Sequence, residues 1–300
     1  MKRFLILFIA LLSLPALAAD PQRIAVLSAF VPELKAIREQ MIPSKAKLKT
    51  TTINGTRFDE VEINGRHFIF GLSGISMINA AMCTQLVIDR FNVDAVVFSG
   101  IAGGINPELH PGDVIVPGKW IHQMESFWPN PDPVGPGKYT FPFWFEPKYG
   151  NYKGMFPADV EAVRGGMDKP QTMHSFPADP GMLSEATQVA KTVRITDLRG
   201  GTAKIVVGCA AMSGPVFLDN ADFRVFAYET WHVDGHDMES TAVAQVAWAN
   251  HIPVLIIRGL SDLAGEQAGP NEERAYLEIA AKNAAILTSR ILLGMPKAGK

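Results

Sequence analysis

The sequence predicts an α/β fold in a single domain, and three observations support this prediction. Short apolar runs typical of buried strands alternate along the chain with segments of helical periodicity. The strand predicted at residues 94–98 is apolar on both faces, which indicates a sheet covered by helices. Apolar side chains make up 47% of the 300 residues, and this is enough for one large core.

The chain begins its predicted domain with a strand, a helix and a hairpin. The apolar run at residues 23–27 predicts a strand, and helical spacing follows at residues 31–40. Alternation at residues 58–72 predicts a hairpin whose tight turn is Asn64-Gly65.

The later elements continue the alternation of buried strands and helices that is typical of α/β proteins. They are a helix at residues 77–91, the strand at 94–98, strands at 112–116 and 203–208, a helix at 238–250, a strand at 253–258 and a closing helix at 271–293.

The segment at about residues 120–180 has a different composition, with Trp, Phe, Tyr, Pro and Gly crowded together. So many aromatic residues argue against disorder, while the prolines and glycines argue against regular elements. We therefore predict an ordered insertion on the surface of the domain. A lid, a subunit contact and an elaborate loop are all compatible with it.

Residues 1–19 have the pattern of a signal peptide. Basic residues precede an apolar run at residues 4–14, and small residues follow, so cleavage is expected after Ala18 or Ala19. The apolar run is shorter than the roughly 20 residues that a membrane-spanning helix needs. A periplasmic or secreted protein without a membrane segment after cleavage is expected, and an uncleaved membrane anchor is the alternative.

The charge balance argues against a nucleic-acid partner. The chain has 28 Lys and Arg against 30 Asp and Glu, a net charge of −2, and removal of Lys2 and Arg3 with residues 1–19 leaves 26 against 30, or −4. No basic run is present to match a polynucleotide backbone. A small-molecule partner is expected instead.

The two cysteines, Cys83 and Cys209, match no metal or redox motif. Two buried free thiols are the favoured interpretation, and a disulfide between them stays open because the sequence does not place them side by side.

Four polar or glycine-rich segments directly follow predicted strands, where ligands gather in α/β sheets. Each segment alone is compatible with an ordinary turn or helix cap. The prediction of a ligand site therefore rests on the occurrence of all four segments in this order along the chain. The segments are residues 28–33, 73–76 and 99–104, followed by Ser261-Asp262.

Seven motifs in this order resemble those of the methylthioadenosine/S-adenosylhomocysteine nucleosidases and, more distantly, the trimeric and hexameric nucleoside phosphorylases. The resemblance covers residues 23 to about 118 and 176–293. It implies one three-layer domain at residues 20–300 with a central mixed β-sheet flanked by helices. The motifs are SAFVPEL, SGISMINAA, SGIAGGINPELHPGDVIV, FPADPGML, MSGPVFLDN, HDMESTAVAQVA and VLIIRGLSDLAG.

The resemblance implies a site that cleaves an N-glycosidic bond. Asp262 matches the acid that donates a proton towards the purine N7, and Glu33 matches the carboxylate that orients or deprotonates the attacking water. Glu239 matches the glutamate that binds the ribose hydroxyls. These three carboxylates are the proposed chemical core.

Further family positions would bind the nucleoside itself. Met238 would pack against the sugar, Phe217 would stack on the base, and Leu218 would offer backbone hydrogen bonds. The remaining matches line the purine and ribose region, where glycines permit close backbone approach. They are Ser76, Ala102, Gly103 and Ser261.

The absence of arginines favours hydrolysis over phosphorolysis. Phosphate needs an anion site, but SAFVPEL has no arginine and Phe98 stands about where phosphorylases carry one. Arg258 does not discriminate, because nucleosidases resemble the chain there too. A phosphate-dependent purine nucleoside phosphorylase and a secreted, non-catalytic nucleoside-binding or storage protein are the alternatives.

Some residues depart from the family pattern. Ser76-Met77 replaces a Gly-Lys pair, and Asp237 replaces a glutamate. The 5′ group of the substrate is therefore open between methylthioadenosine or S-adenosylhomocysteine and plain adenosine or inosine. The resemblance implies a homo-oligomer, and no cofactor or metal is expected.

Overall fold

The computed structural model describes residues 23–265 and 273–295, apart from residues 134, 136 and 198. The predicted signal peptide at residues 1–19 and the first two residues of the predicted closing helix lie outside the described residues. In the part of the chain that is described, no helix is both long and apolar enough to cross a bilayer.

The described chain forms 16 strands, of which 12 belong to one large sheet. The strands are β1 Arg23–Ser28, β2 Lys49–Ile53, β3 Thr56–Ile63, β4 Arg66–Leu72, β5 Ala95–Gly104, β6 Val114–Val116, β7 Lys119–His122, β8 Ser126–Phe127, β9 Phe156–Pro157, β10 Val160–Ala162, β11 Gln171–Met173, β12 Phe176–Pro177, β13 Ile205–Val207, β14 Ala210–Ser213, β15 Val233–Asp237 and β16 Val254–Asp262.

The large sheet is mixed, as the resemblance implied. Its main path runs β12-β7-β14-β15-β5-β1-β4-β3-β2, while β16 pairs with both β5 and β6, and β6 pairs with β13. Strands β1, β4, β5 and β16 run parallel, whereas β15 runs antiparallel to β5. The parallel strands therefore end at one edge, where ligands gather in sheets of this kind.

Helices cover both faces of the sheet and complete three layers. The helices are α1 Val31–Met41, α2 Met77–Phe91, α3 Pro180–Ala190, α4 Ala221–Trp231, α5 Ser240–Ala249 and α6 Glu273–Gly294. On β5, Ala95 and Val97 pack in the core formed with α1 and α6, whereas Val96 and Phe98 pack in the core formed with α2 and α5. The predicted strand with two apolar faces is thus confirmed.

The hairpin prediction is confirmed, and the structure adds a second hairpin that the sequence analysis missed. Asn64 and Gly65 have positive φ angles of 53° and 79°, as a type I′ turn requires. Asn54 and Gly55 repeat the same geometry at 50° and 80° and connect β2 to β3. The second Asn-Gly pair was an available signal for this turn.

The expectation that the glycine-rich residues 99–104 follow the central strand as a loop was wrong. They continue β5 to Gly104, because β16 pairs along them on one side and β15 pairs with Gly103 and Gly104 on the other. Hydrogen bonds to the neighbouring strands satisfy backbone N–H and C=O groups that an isolated glycine-rich segment would leave unpaired. Ser261 and Asp262 likewise lie within β16 rather than after it.

The aromatic segment contains two small two-stranded sheets, β8–β9 and β10–β11. Near its ends, Trp120 and Phe176 pair with each other across β7 and β12 in the large sheet, and both are buried. Between them an aromatic cluster holds the segment together, and its members are Phe127, Tyr139, Phe141, Trp144, Phe145 and Phe156.

Both cysteines are free thiols, as the sequence analysis favoured. Cys83 is buried on α2, and burial raises the pKa of its thiol to about 12. Cys209 is only half-buried by surface area.

Candidate active site

A cleft of about 660 Å³ opens beside the ends of β1, β5, β15 and β16. All the predicted site residues line it except Ser76. The lining residues are Ala29, Phe30, Glu33, Ile75, Ile101, Ala102, Gly103, Val216, Phe217, Leu218, His236, Asp237, Met238, Glu239, Ser261, Asp262 and Glu273.

Glu33 lies in the first turn of α1, where its carboxylate caps the helix and reaches across to β5. Its Oε2 accepts hydrogen bonds from the N–H groups of Ala29 at 2.7 Å and Phe30 at 3.2 Å. Its Oε1 accepts from the N–H of Ile101 at 2.7 Å and lies 3.3 Å from an Arg258 nitrogen. These four donors fill the acceptor positions of the carboxylate.

Arg258 is the centre of the charged end of the cleft and is fully buried. Its guanidinium lies 4.4 Å from the centre of the Phe98 ring. Three carboxyl groups that line the cleft surround it, so acidic groups outnumber the cation at this end. They are Glu33 at 3.3 Å, Asp237 at 2.7 Å and Glu239 at 3.5 Å.

Burial and the close approach of these charged groups shift their pKa values. Burial raises the pKa of Glu33, although Arg258 and backbone N–H groups oppose the shift. Burial and the neighbouring Asp237 carboxylate raise the pKa of Glu239 to about 7. Burial alone would lower the pKa of Arg258, but its three carboxylate partners hold the pKa above its ordinary value.

Asp237, the residue that departs from the family glutamate, binds protein groups on several sides. It accepts hydrogen bonds from the Ser213 hydroxyl at 2.5 Å and the Ser240 N–H at 3.0 Å, and it also contacts the Ser240 hydroxyl. With the ion pair to Arg258, these contacts fix the start of α5 against the sheet. Asp237 therefore positions Arg258 and the neighbouring Glu239.

Glu239 is the N-cap residue of α5, and its position depends on Ser76. Its Oε1 accepts a hydrogen bond from the Ser76 N–H at 2.8 Å. Ser76 has φ 85° and ψ 155°, a conformation that favours glycine and is strained for serine. Ser76 does not line the cleft, but its backbone N–H fixes Glu239, and a contact of Ser76 with the ligand stays a prediction.

Asp262 lies at the opposite end of the cleft, where β16 ends. The Ser261 hydroxyl donates a hydrogen bond to its Oδ1 at 2.9 Å, and the Ala264 N–H donates to its Oδ2 at 3.2 Å. Gly103 faces the same carboxylate, and a Cβ there would be 3.3 Å from Oδ2. The missing side chain leaves space in front of Asp262.

Gly100 shows the strongest steric need for glycine at this site. A Cβ there would lie 1.9 Å from an Arg258 nitrogen and 2.2 Å from the Glu33 carboxylate. The glycine therefore allows the ion pair between Glu33 and Arg258 to form against β5.

The walls of the cleft are mostly apolar. Phe217 is 55% exposed at the mouth, while Leu218 is buried. Among the cleft-lining residues that the structure describes, none is a lysine or an arginine.

Glu273 and His236, which the sequence analysis did not assign to the site, also line the cleft. Glu273 opens α6 and lines the cleft, and burial together with the Asp262 charge raises its pKa. His236 on β15 lines the cleft, and its Nε2 lies 2.5 Å from Oε1 of the buried Gln123. His236 is the first residue of the matched motif HDMESTAVAQVA, so its place in this motif was the available signal.

Comparison with known proteins identifies related sequences over most of the chain. The family model described as the phosphorylase superfamily matches residues 23–293. A 5′-methylthioadenosine/S-adenosylhomocysteine nucleosidase of Psychromonas ingrahamii is 31% identical over 263 residues, covering 86% of this chain and 95% of the relative. One of Tolumonas auensis is 28% identical over 270 residues, covering 90% and 98%.

Solved structures show the same fold. The nucleosidase of this name from Neisseria meningitidis, in complex with methylthio-immucillin-A, has a TM-score of 0.67 at 25% identity and covers 91% of this chain and 100% of its own. Futalosine hydrolase of Helicobacter pylori has the same TM-score at 20% identity, covering 91% and 98%.

Proposed function

Because the chain belongs to the phosphorylase superfamily, we propose that it is a hydrolase that cleaves the N-glycosidic bond of a purine nucleoside and releases free base and sugar. The observation that carries this proposal is the distribution of charge in one cleft. A carboxylate lies at each end, and the arginine behind the cleft wall is already surrounded by carboxylates.

Asp262 is the group that protonates the leaving base. It is buried and held by Ser261 and Ala264, while Gly103 leaves the space in front of it open. A proton donated to the purine N7 withdraws electrons from the glycosidic bond and makes the base a better leaving group. The exposed ring of Phe217 at the mouth provides a surface for the base.

Glu239 and Glu33 act on the sugar side of the bond. As the bond breaks, the sugar becomes an oxocarbenium-like cation, and the excess of carboxylates at this end stabilises it. Glu239 accepts hydrogen bonds from the sugar hydroxyls. Glu33 binds the attacking water. This water must displace one of the four protein groups that donate hydrogen bonds to the Glu33 carboxylate. The contact with Arg258, at 3.3 Å, is the longest of the four.

Water suits this site better than phosphate does. A phosphate ion needs free cationic donors in line with the anomeric carbon. Arg258 is engaged by three carboxylates, and the described lining contains no other cationic side chain. The excess negative charge would repel a phosphate anion.

The test is turnover of a nucleoside panel by the purified protein. Adenosine, inosine, methylthioadenosine and S-adenosylhomocysteine are each incubated without phosphate, and the released base is measured by chromatography. We expect base release from at least one of them, with Asp262→Asn as the matched inactive control. Binding without release from any of the four would favour a binding or storage protein.

We also propose that the protein acts outside the cytoplasm, in the periplasm or as a secreted protein. The basic, apolar and small-residue pattern of residues 1–19 supports this. Expression of the full chain in a bacterial host, cell fractionation and N-terminal sequencing would test it. A cytoplasmic protein that keeps Met1 would contradict it.

We propose further that the protein is a homo-oligomer. Several apolar side chains are exposed, as at subunit interfaces, and two of them, Ile75 and Phe217, line the cleft. These exposed side chains are Val31 (66%), Ile75 (50%), Ile78 (74%), Met82 (62%) and Phe217 (55%). Light scattering should give a mass above one chain that falls in Ile78→Glu/Met82→Glu, and a monomeric wild type would contradict the proposal.

A further inference from the structure

His236 and Asp262 flank the same glycine in the sheet. His236 on β15 pairs with Gly103 from one side, and Asp262 on β16 pairs with Gly103 from the other. Neighbouring strands lie about 4.8 Å apart, so the two Cα atoms are roughly 10 Å apart. Because Gly103 has no side chain, one edge of a ligand can lie over it and contact both residues.

The contact with Gln123 fixes which imidazole nitrogen carries the proton. His236 Nε2 lies 2.5 Å from the Gln123 side-chain oxygen, which can only accept a hydrogen bond. Nε2 is therefore the donor, and Nδ1 presents a lone pair. Among the described residues, none donates a hydrogen bond to Nδ1, and His236 lines the cleft.

The imidazole is neutral when it presents this lone pair. Burial lowers the pKa of His236 to about 4, although the Asp237 charge opposes the shift. A neutral imidazole with Nε2 protonated is a hydrogen-bond acceptor at Nδ1 throughout the neutral pH range.

We propose that His236 recognises the 6-position of the purine by accepting a hydrogen bond from a 6-amino group, and that Gln123 is the positioning residue that fixes the imidazole tautomer. This deepens the proposed function and rests on it. On a purine, N7 and the 6-substituent lie on one edge, so a base whose N7 faces Asp262 directs its 6-substituent over Gly103 towards His236. A 6-amino group can donate to Nδ1, whereas a 6-oxo group would place two lone pairs against each other.

The first experiment compares three ribosides that share one sugar: adenosine, inosine and unsubstituted purine riboside. In the wild type, kcat/KM should favour adenosine over both others. His236→Leu should reduce the ratio of adenosine to purine riboside by about tenfold, the size expected for one hydrogen bond. An unchanged ratio would overturn the proposal, because a merely structural role changes all three substrates together.

Two further variants keep the test independent of folding defects. His236→Phe keeps a flat ring of similar size but has neither ring nitrogen, so it should lose the same preference. Gln123→Glu places a carboxylate against Nε2 and favours the doubly protonated imidazolium, whose Nδ1–H would donate to a 6-oxo group. The preference should then move from adenosine towards inosine, and a preference that stays with adenosine would contradict the role of Gln123.

Binding of the free bases separates this inference from the proposed function. Calorimetry on the wild type should show adenine binding more tightly than hypoxanthine, and His236→Leu should remove most of the difference. If nucleosides are not hydrolysed but this preference exists, the inference stands and the hydrolase proposal fails. If nucleosides are hydrolysed without discrimination at the 6-position, the hydrolase proposal stands and the inference fails.

Discussion

The two ends of the cleft are built in opposite ways. At the sugar end, three carboxylates surround one buried arginine, and each has several protein partners. At the base end, Asp262 has a hydroxyl and one backbone N–H as its described hydrogen-bond donors and faces the open space above Gly103. We infer that the charge network at the sugar end also contributes to stability, whereas the proposed task of the carboxyl at the base end is to transfer a proton.

The largest effect should come from Asp262→Asn, which removes the acid at the base end and keeps its shape. We expect kcat/KM to fall by about 10²–10⁴-fold, the range of general acid catalysis, with no change in the unfolding temperature. The exposed Asp222→Asn is the matched control and should leave both quantities unchanged. An unaffected rate in Asp262→Asn would remove this residue from the mechanism.

Arg258→Met should show the opposite signature at the sugar end, a large loss of stability. Removal of a buried cation leaves its carboxylates without a counter-charge, which costs about 3–5 kcal/mol in the free energy of unfolding. Denaturant unfolding measures the loss. Arg57→Met removes an exposed arginine from Asp59 but leaves the pair of Asp59 with Arg38, so it should cost no more than about 1 kcal/mol. Equal losses of unfolding free energy in the two variants would contradict the role of Arg258 as the buried counter-charge of three carboxyl groups.

Glu239→Gln should change how stability depends on pH. The folded protein raises the pKa of Glu239 from 4.5 to about 7, so it binds an extra proton between these values and loses stability as pH rises through this window. The variant lacks this slope and should be more stable than the wild type at pH 8 by about 3 kcal/mol, while activity falls. Parallel stability curves from pH 4.5 to 8 would contradict the shifted pKa.

Phe217→Ala should have the smallest effect, because this ring is half exposed and its proposed partner in the site is the base, not the reacting bond. Loss of an aromatic stacking contact of about 1 kcal/mol should raise KM by roughly fivefold, with kcat and stability nearly unchanged. Steady-state kinetics on the best substrate measures it. A fall in kcat without a change in KM would mean that Phe217 acts on the chemical step instead.

The sequence was sufficient to predict the fold and the carboxyl groups that line the cleft, since both depend on local patterns. Buried strands between helices identified the α/β sheet, and Glu33 and Asp262 were recognisable from the motifs that surround them. Their assigned roles stay predictions until the variants above are measured.

The rest depended on long-range pairing that a single sequence does not encode locally. Strand β15 was missed because Asp234, Gly235, His236 and Asp237 are polar or small, yet all four are buried between neighbouring strands. Because this strand was not predicted, the sequence analysis did not place His236 in the cleft. The partners of Arg258 come from two distant parts of the chain, Glu33 from one and Asp237 with Glu239 from the other, so no spacing rule brings them together.

The identity of the sugar product tests the central claim most directly. The wild type is incubated with its best nucleoside in phosphate buffer until the reaction is complete, and ³¹P NMR and sugar analysis identify the products. The enclosed Arg258 and the negative sugar end predict free sugar in an amount equal to the released base, at a rate independent of phosphate. A stoichiometric sugar 1-phosphate would contradict hydrolysis and show that phosphate, not water, is the nucleophile.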